Sequence, residues 1–298
     1  MAERCIFCRG MKEDFNIEHV FPDGIGGHFT INRVCISCNS RLGSQVDHHL
    51  TNHILMVMLR NQYNIRGKKG ALPPVVKYGE LANDREQKVH FSTNSDGIID
   101  AVRFLPKKEI MEEKNGDMRI LISGDETDER AHRKSVNTLL KRKNLPEMTH
   151  EEYKDSLQSE QITSPINTTL SIDFSQYIRT IAKIAYEMTW HWLGDSYIDD
   201  PQAAIIRDYI QSGNLDNKHL FFKGAGMLKD EIKNKLAPEL HLARLEINPS
   251  SIVCSVFISD TFSGEFIMSL NPSIYTPNFK TAALTNDIIS GDVDEEFE

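Results

Sequence analysis

The sequence predicts an α+β protein: a small N-terminal module of strand, loop, strand and helix clipped by zinc, then a larger mixed α/β domain with an antiparallel sheet. Three observations predict it. Cys5-x-x-Cys8 and Cys35-x-x-Cys38 frame the start of the chain and hold four of its five cysteines. Between them, Phe15 to Phe21 and Phe29 to Val34 are β-branched and aromatic runs separated by Asp23-Gly24-Ile25-Gly26-Gly27. Far downstream, Leu242–Ile247, Ser251–Ser259 and Glu265–Leu270 alternate like strands of an antiparallel meander.

The cysteine spacing has a physical reason. Two intervening residues let both thiolates of a pair face one ion from a tight turn, and two such knuckles complete a tetrahedral four-sulfur zinc site. The enclosed segment is too short to bury a core, so the ion supplies folding energy. Pro22 ends the first strand, the glycines provide the positive φ angles of the turn, and Val34 leads into the second knuckle. From Ser40 to about Met58, Leu42, Val46, His49, Leu50 and His53 share one helical face.

Arg66-Gly67-Lys68-Lys69-Gly70 and Pro73-Pro74 mark a domain boundary, giving a module over 1–66 and a domain over 71–285. In the latter, Val75–Tyr78, Lys88–Ser92, Ala101–Phe104 and Met118–Ser123 read as strands. Asp125–Lys143 reads as a helix, and the polar stretch Glu147–Glu160 as a mobile segment or a helix starting near Thr149. Ser175–Leu193 is the strongest helix, with Ile178, Ile181, Ala182, Ala185, Met188 and Trp192 in one stripe and Gly194 as its stop. His191 and Glu187 on it are expected to be structural and outside any site. Pro201–Gln211 is another helix. The acidic tail 286–298 is expected to be disordered.

The 298 residues suffice for about two domains. There is no apolar run of about eighteen residues and no apolar leader, so neither a membrane span nor a secretory signal is expected. Zinc-spaced thiols with one further cysteine, Cys254, suit a reducing cytoplasm. The net charge is −9, but residues 1–70 hold nine Lys and Arg against six Asp and Glu, +3, leaving −12 elsewhere. The module is thus the part suited to a polyanion.

Cys-x-x-Cys, Glu18-His19-x-x-Pro22, the Gly26-Gly27 turn and Cys35-x-x-Cys38-Asn39, in that order over about residues 5–50, resemble the HNH endonucleases, which have a ββα-metal fold and here a structural zinc. The resemblance implies His19 as general base, and Glu18 and Asn39 as ligands of a catalytic Mg2+ or Mn2+. It implies Asn32, with His28 as competitor, as the middle asparagine that pins the loop or orients the base. Members often carry Asp where this chain has Glu18. The chemistry is coherent: a neutral imidazole takes a proton from water near pH 7, hard oxygens suit magnesium, and thiolates suit zinc.

The expected activity is therefore metal-dependent hydrolysis of DNA phosphodiesters, in bacterial restriction or phage defence as the resemblance suggests. RNA is the other polymer the motif admits, and a homodimer is a route to double-strand cuts. Arg41, Lys68 and Lys69 are the candidate phosphate contacts. Asp47 could be a further metal ligand or a partner behind one, and His48, His49 and His53 could touch phosphate or belong to a half-buried helix face. The alternative is a zinc-ribbon module that binds nucleic acid or protein without catalysis.

Overall fold

The computed structural model describes residues 2–298 except 68–69, 113–117, 126–128, 174, 215, 217 and 228–235. Lys68 and Lys69 thus lie outside the described residues. The chain divides into two units, Met1–Pro73 with Ile172–Glu298, and Pro74–Ser171. The boundary expected at 66–71 is therefore one of two crossings. The N-terminal module and residues 172–298 fold together, and the second unit is an insertion between them.

In the first unit, Phe15–His19 pairs antiparallel with Thr30–Cys35, with a bulge between Asn16 and Glu18. The following helix starts earlier than the periodicity suggests, at Ile36 directly after Cys35. It tightens and loosens along its length: Ile36–Leu42 is α-helical, Gly43–Asp47 is a π turn, and His48–Thr51 is α-helical again. A break at His53 begins Ile54–Gln62, where the His53 ring accepts the N–H of Leu55 as an N-cap.

The core helix Tyr177–Leu193 lies on a six-stranded antiparallel sheet whose order is Phe222–Met227, Phe262–Ser269, Ile252–Ile258, Leu240–Ile247, Thr281–Asp287, Val293–Phe297. The meander expected over Leu242–Leu270 is its centre. Every residue of that helix from Thr180 to Thr189 is buried, because the sheet covers one side and the four-cysteine module the other. One hydrophobic core runs through all three layers, joining Phe21, Val34 and Leu50 to Ile181, Ala185, Leu245 and Phe266. Burial of this kind stabilises by about 1.5–3 kcal/mol per large side chain, before entropy is charged against it.

The acidic tail is ordered, against expectation. Val293–Phe297 pairs with Thr281–Asp287, and Glu295 accepts the indole N–H of Trp192 at 2.5 Å. Composition suggests disorder because five carboxylates crowd the last seven residues, but strand pairing satisfies the backbone, Glu295 meets Trp192 and His191, and the other acids stay exposed. Asn286, assigned to that tail, is fully buried. Its Oδ1 accepts the N–H groups of His28 and Phe29, and its Nδ2 donates to Gly26 O.

His241 holds the same loop from the neighbouring strand. Its Nε2–H donates to Ile25 O at 3.0 Å, and its Nδ1 accepts the N–H of Ser259. Burial lowers its pKa from 6.5 to about 4. Between those values the unfolded chain carries a proton on this ring that the folded chain does not. The stabilisation, about 3 kcal/mol, is fully present above pH 6.5 and is lost as the pH falls towards 4. Urea midpoints at pH 4.5 and 7 should thus differ less in His241→Gln than in the parent. Equal pH slopes in the two proteins would remove His241 from the account.

The inserted unit has its own sheet in the order Ile166–Asn167, Tyr78–Leu81, Lys88–Thr93, Ile99–Phe104, around Leu81, Val89 and Phe91. A hairpin, Lys107–Glu112 with Met118–Ser123, and the helices Glu129–Arg142 and His150–Asp155 complete it. The second helix opens with a Thr149–Glu152 capping box, so part of the polar stretch 147–160 is helical.

Candidate functional site

The four predicted zinc ligands converge. The sulfurs of Cys5, Cys8, Cys35 and Cys38 all lie within 4.8 Å of one another. The Cys35 N–H points at Cys5 Sγ (3.4 Å), and the Arg41 guanidinium points at Cys38 Sγ (3.9 Å). Donors aimed at sulfur are what a thiolate cluster around a cation requires, and four soft sulfurs fit zinc. The clip is bolted to the core helix and its successor: Tyr186 donates to Ile6 O (2.6 Å), Gln211 to Phe7 O, and Arg4 forks onto Asp199 with both N–O distances 2.7 Å.

His19 sits half-buried at the end of its strand. Its Nδ1 lies 3.0 Å from Gly27 O, and a carbonyl only accepts, so Nδ1 carries the proton. Nε2 is then the basic nitrogen, and it has no partner among the described residues. The turn makes this possible. A Cβ on Gly27 would run into the Phe21 carbonyl, so only glycine lets the loop close on the imidazole. Asn286 and His241 hold that loop from behind, which makes them supports of the candidate base that no local motif revealed.

Strand alternation separates the Glu-His pair. His19 pairs in register with Thr30, so Asn32, two residues on and exposed, lies on the same face of the hairpin. Glu18 points the other way and is 3 % exposed. Asn39 donates its Nδ2 to Ile17 O at 2.9 Å, tying the helix to the strand; its Oδ1 has no partner among the described residues. His28 is exposed and its ring packs over Gly291, while its backbone N–H goes to Asn286.

What meets Glu18 is Lys183, from the core helix. Lys183 Nζ is 2.5 Å from Glu18 Oε1, 3.2 Å from Glu187 Oε2 and 3.7 Å from Asp47 Oδ1. It also donates to His19 O at 2.8 Å and Val20 O at 3.3 Å. The ammonium is completely buried among oxygens. Burial alone would lower its pKa, but Asp47, Glu18 and Glu187 together hold it above the ordinary lysine value. Burial pushes Asp47 up to about 6 and Glu187 well above the ordinary carboxylate range, against the pull of Lys183 in both cases. Two acids that resist ionisation and one that pairs at 2.5 Å leave a lysine–glutamate ion pair flanked by carboxyls.

This changes the expected magnesium pair. The carboxylate of Glu18 already neutralises a cation, and a divalent ion would have to share or displace it. Glu18 and Asn39 as placed do not fit a metal-ligand pair. Glu187, expected outside the site, belongs to the group around Glu18. The readable signal was Lys183 itself: a lysine four residues before a glutamate on a helix buried all round needs an interior partner.

The remaining candidates make contacts within the protein. Arg41 donates to Gln211 Oε1 at 3.1 Å as well as to the zinc site, so its guanidinium braces the helices. The His53 ring packs edge-on against Phe262 and Tyr177. His48 and His49 stack with centroids 3.8 Å apart. Asp47 joins the Lys183 group.

The family model described as HNH endonuclease matches residues 5–55, spanning the zinc clip, the hairpin and the first helical turns. No curated protein and no solved structure matches the chain. No helix among the described residues is long and apolar enough to cross a membrane.

Proposed function

Taking residues 5–55 as an HNH endonuclease module, we propose that the protein hydrolyses DNA phosphodiesters with His19 as general base. The observation that carries this is the Nδ1–H···O=C bond from His19 to Gly27, which makes Nδ1 the donor and leaves Nε2 as the nitrogen that can accept. In the step this chain supplies, Nε2 takes a proton from water as the water oxygen bonds to phosphorus. The bond from phosphorus to the leaving oxygen breaks, and that oxygen is protonated from solvent. The family implies a divalent metal in addition to zinc, and when bound it would place positive charge on the phosphate. Asn32, on the face of His19, is the polar side chain placed to meet the substrate. Restriction or phage defence is the setting the family suggests, and two modules in a homodimer would make a double-strand cut; a native mass measured as that of a monomer would count against the dimer.

The test is nicking of supercoiled plasmid with Mg2+ or Mn2+ added or withheld, comparing the parent with His19→Ala, and with an RNA of matched length alongside. His19→Ala should lose about 100- to 10,000-fold in rate. A mutant as fast as the parent ends the assignment. The engagement of Glu18 by Lys183 favours one second reading, a zinc module that binds nucleic acid without cutting it. That reading predicts retention of DNA by both proteins and nicking by neither.

A further inference from the structure

The helix Glu129–Arg142 of the inserted unit carries its charge in an unusual arrangement. Residues 74–171 hold fifteen Lys and Arg against eighteen Asp and Glu, so the unit as a whole is slightly acidic. Residues 129–143 hold six basic side chains, Arg130, Arg133, Lys134, Lys141, Arg142 and Lys143, against the single acid Glu129. At 3.6 residues per turn, Arg130, Arg133, Lys134, Asn137 and Lys141 fall within about 100° of arc. They line one surface concavity of about 550 Å³ with Thr138 and Glu147.

The inner face explains why the cations face outward. Leu139 is buried. On the same side His132 is fixed at both nitrogens: Nε2–H donates to Ile122 O at 2.9 Å, and Nδ1 accepts the Tyr153 hydroxyl at 2.7 Å. Asn137 is committed to the connection, exchanging hydrogen bonds with the N–H and C=O of Met148. No ion pair to Arg130, Arg133, Lys134 or Lys141 occurs among the described residues. A solvated helix face ordinarily interleaves both signs and pairs them at i,i+4. This one segregates positive charge inside an acidic unit, which points to an anionic partner.

We propose that this face docks on duplex DNA. From Arg130 to Lys141 the cations run in a straight line of roughly 16 Å. A duplex presents one negative charge per about 1.7 Å of axis, so such a line meets several phosphates at once. The choice of DNA among polyanions rests on the nuclease reading of the module in the same chain. The inserted unit is then the grip that holds the substrate, and its contacts go to phosphates, so binding is independent of sequence and sensitive to salt.

The experiment measures anisotropy of a labelled duplex against full-length His19→Ala protein from 50 to 200 mM salt. The comparison is with the same protein also carrying Arg130→Gln, Arg133→Gln, Lys134→Gln and Lys141→Gln. Glutamine keeps the helix propensity close to that of the residues replaced. The slope of log K against log salt should fall by about 3–4, since each phosphate contact contributes about 0.9. Affinity at 50 mM should drop at least tenfold. A control with four exposed cations neutralised elsewhere on the unit, Lys77, Arg103, Lys108 and Lys154 to Gln, should keep most of the slope.

Equal slopes in the helix variant and its parent overturn the proposal. So does an equal loss in the control, which would reduce the effect to net charge. Loss of poly-glutamate binding with DNA binding retained also overturns it, in favour of an acidic protein. If the protein with His19 intact fails to nick plasmid while the helix variant loses the duplex, the nuclease reading fails and the docking surface stands. If nicking is seen and duplex binding is unmoved, the reverse holds.

Discussion

Lys183→Met is expected to destabilise the first unit by roughly 3–5 kcal/mol, the range for removing one partner from a buried ion pair. The variant leaves Glu18 next to Asp47 and Glu187 with no cation among them, all of them buried or nearly so. It also strips the donor from His19 O and Val20 O, where the strand carrying the candidate base ends. For a unit of about 200 residues, such a loss lowers the melting temperature by about 10 °C or more. The companion variant Glu18→Gln with Lys183→Met removes the stranded charge together with its partner. The double variant should be more stable than Lys183→Met alone, a coupling that a double-mutant cycle reads directly. A single variant that melts within 1–2 °C of the parent would show that Lys183 is not carrying the charge balance of this interior.

Removing zinc is the second large effect. The parent should hold one equivalent of zinc, and Cys35→Ser should hold little. A structural zinc contributes on the order of 10 kcal/mol or more where folding depends on it, comparable to the whole stability of an ordinary domain. Here Cys5, Cys35 and Cys38 belong to the same core as the central helix and the sheet. Loss of the ion should therefore unfold the first unit cooperatively instead of fraying its N-terminus. Calorimetry of the chelated protein should show that transition lost or shifted down by well over 10 °C, and Co2+ added back should give the absorption of a tetrahedral thiolate site. Zinc-free protein with an unchanged transition would make the cluster incidental to folding.

Local signals made the module legible. Cysteine spacing gave the clip, β-branched runs the hairpin and glycine the closed turn, whereas Asn39, read as a metal ligand, ties the helix to the strand through Ile17 O. The central helix was equally plain from its period. What periodicity could not convey is which distant residue meets which. Glu18 reads as a metal ligand from its neighbours, and only the fold brings in Lys183, 165 positions away in the chain. Asn286 and Glu295 look like part of a charged tail because composition carries no record of pairing, while the strand Thr281–Asp287 supplies it. Arg41 next to the motif looks like a phosphate clamp, and the fold brings in Gln211 Oε1 to accept a hydrogen bond from it. In each case the missed term is long-range and polar, a class that apolar patterning does not encode.

The insertion at 74–171 fixes an order of events during synthesis. The hairpin bearing His19 emerges first, yet Lys183, His241 and Asn286, which hold it, lie beyond about a hundred intervening residues. At about 5–20 residues per second, the inserted segment alone takes roughly 5–20 s to make. Through that interval the nascent chain has the motif without the scaffold that holds Gly27 against the imidazole. Cutting activity, on the proposed function, thereby waits until Lys183, His241 and Asn286 have been made.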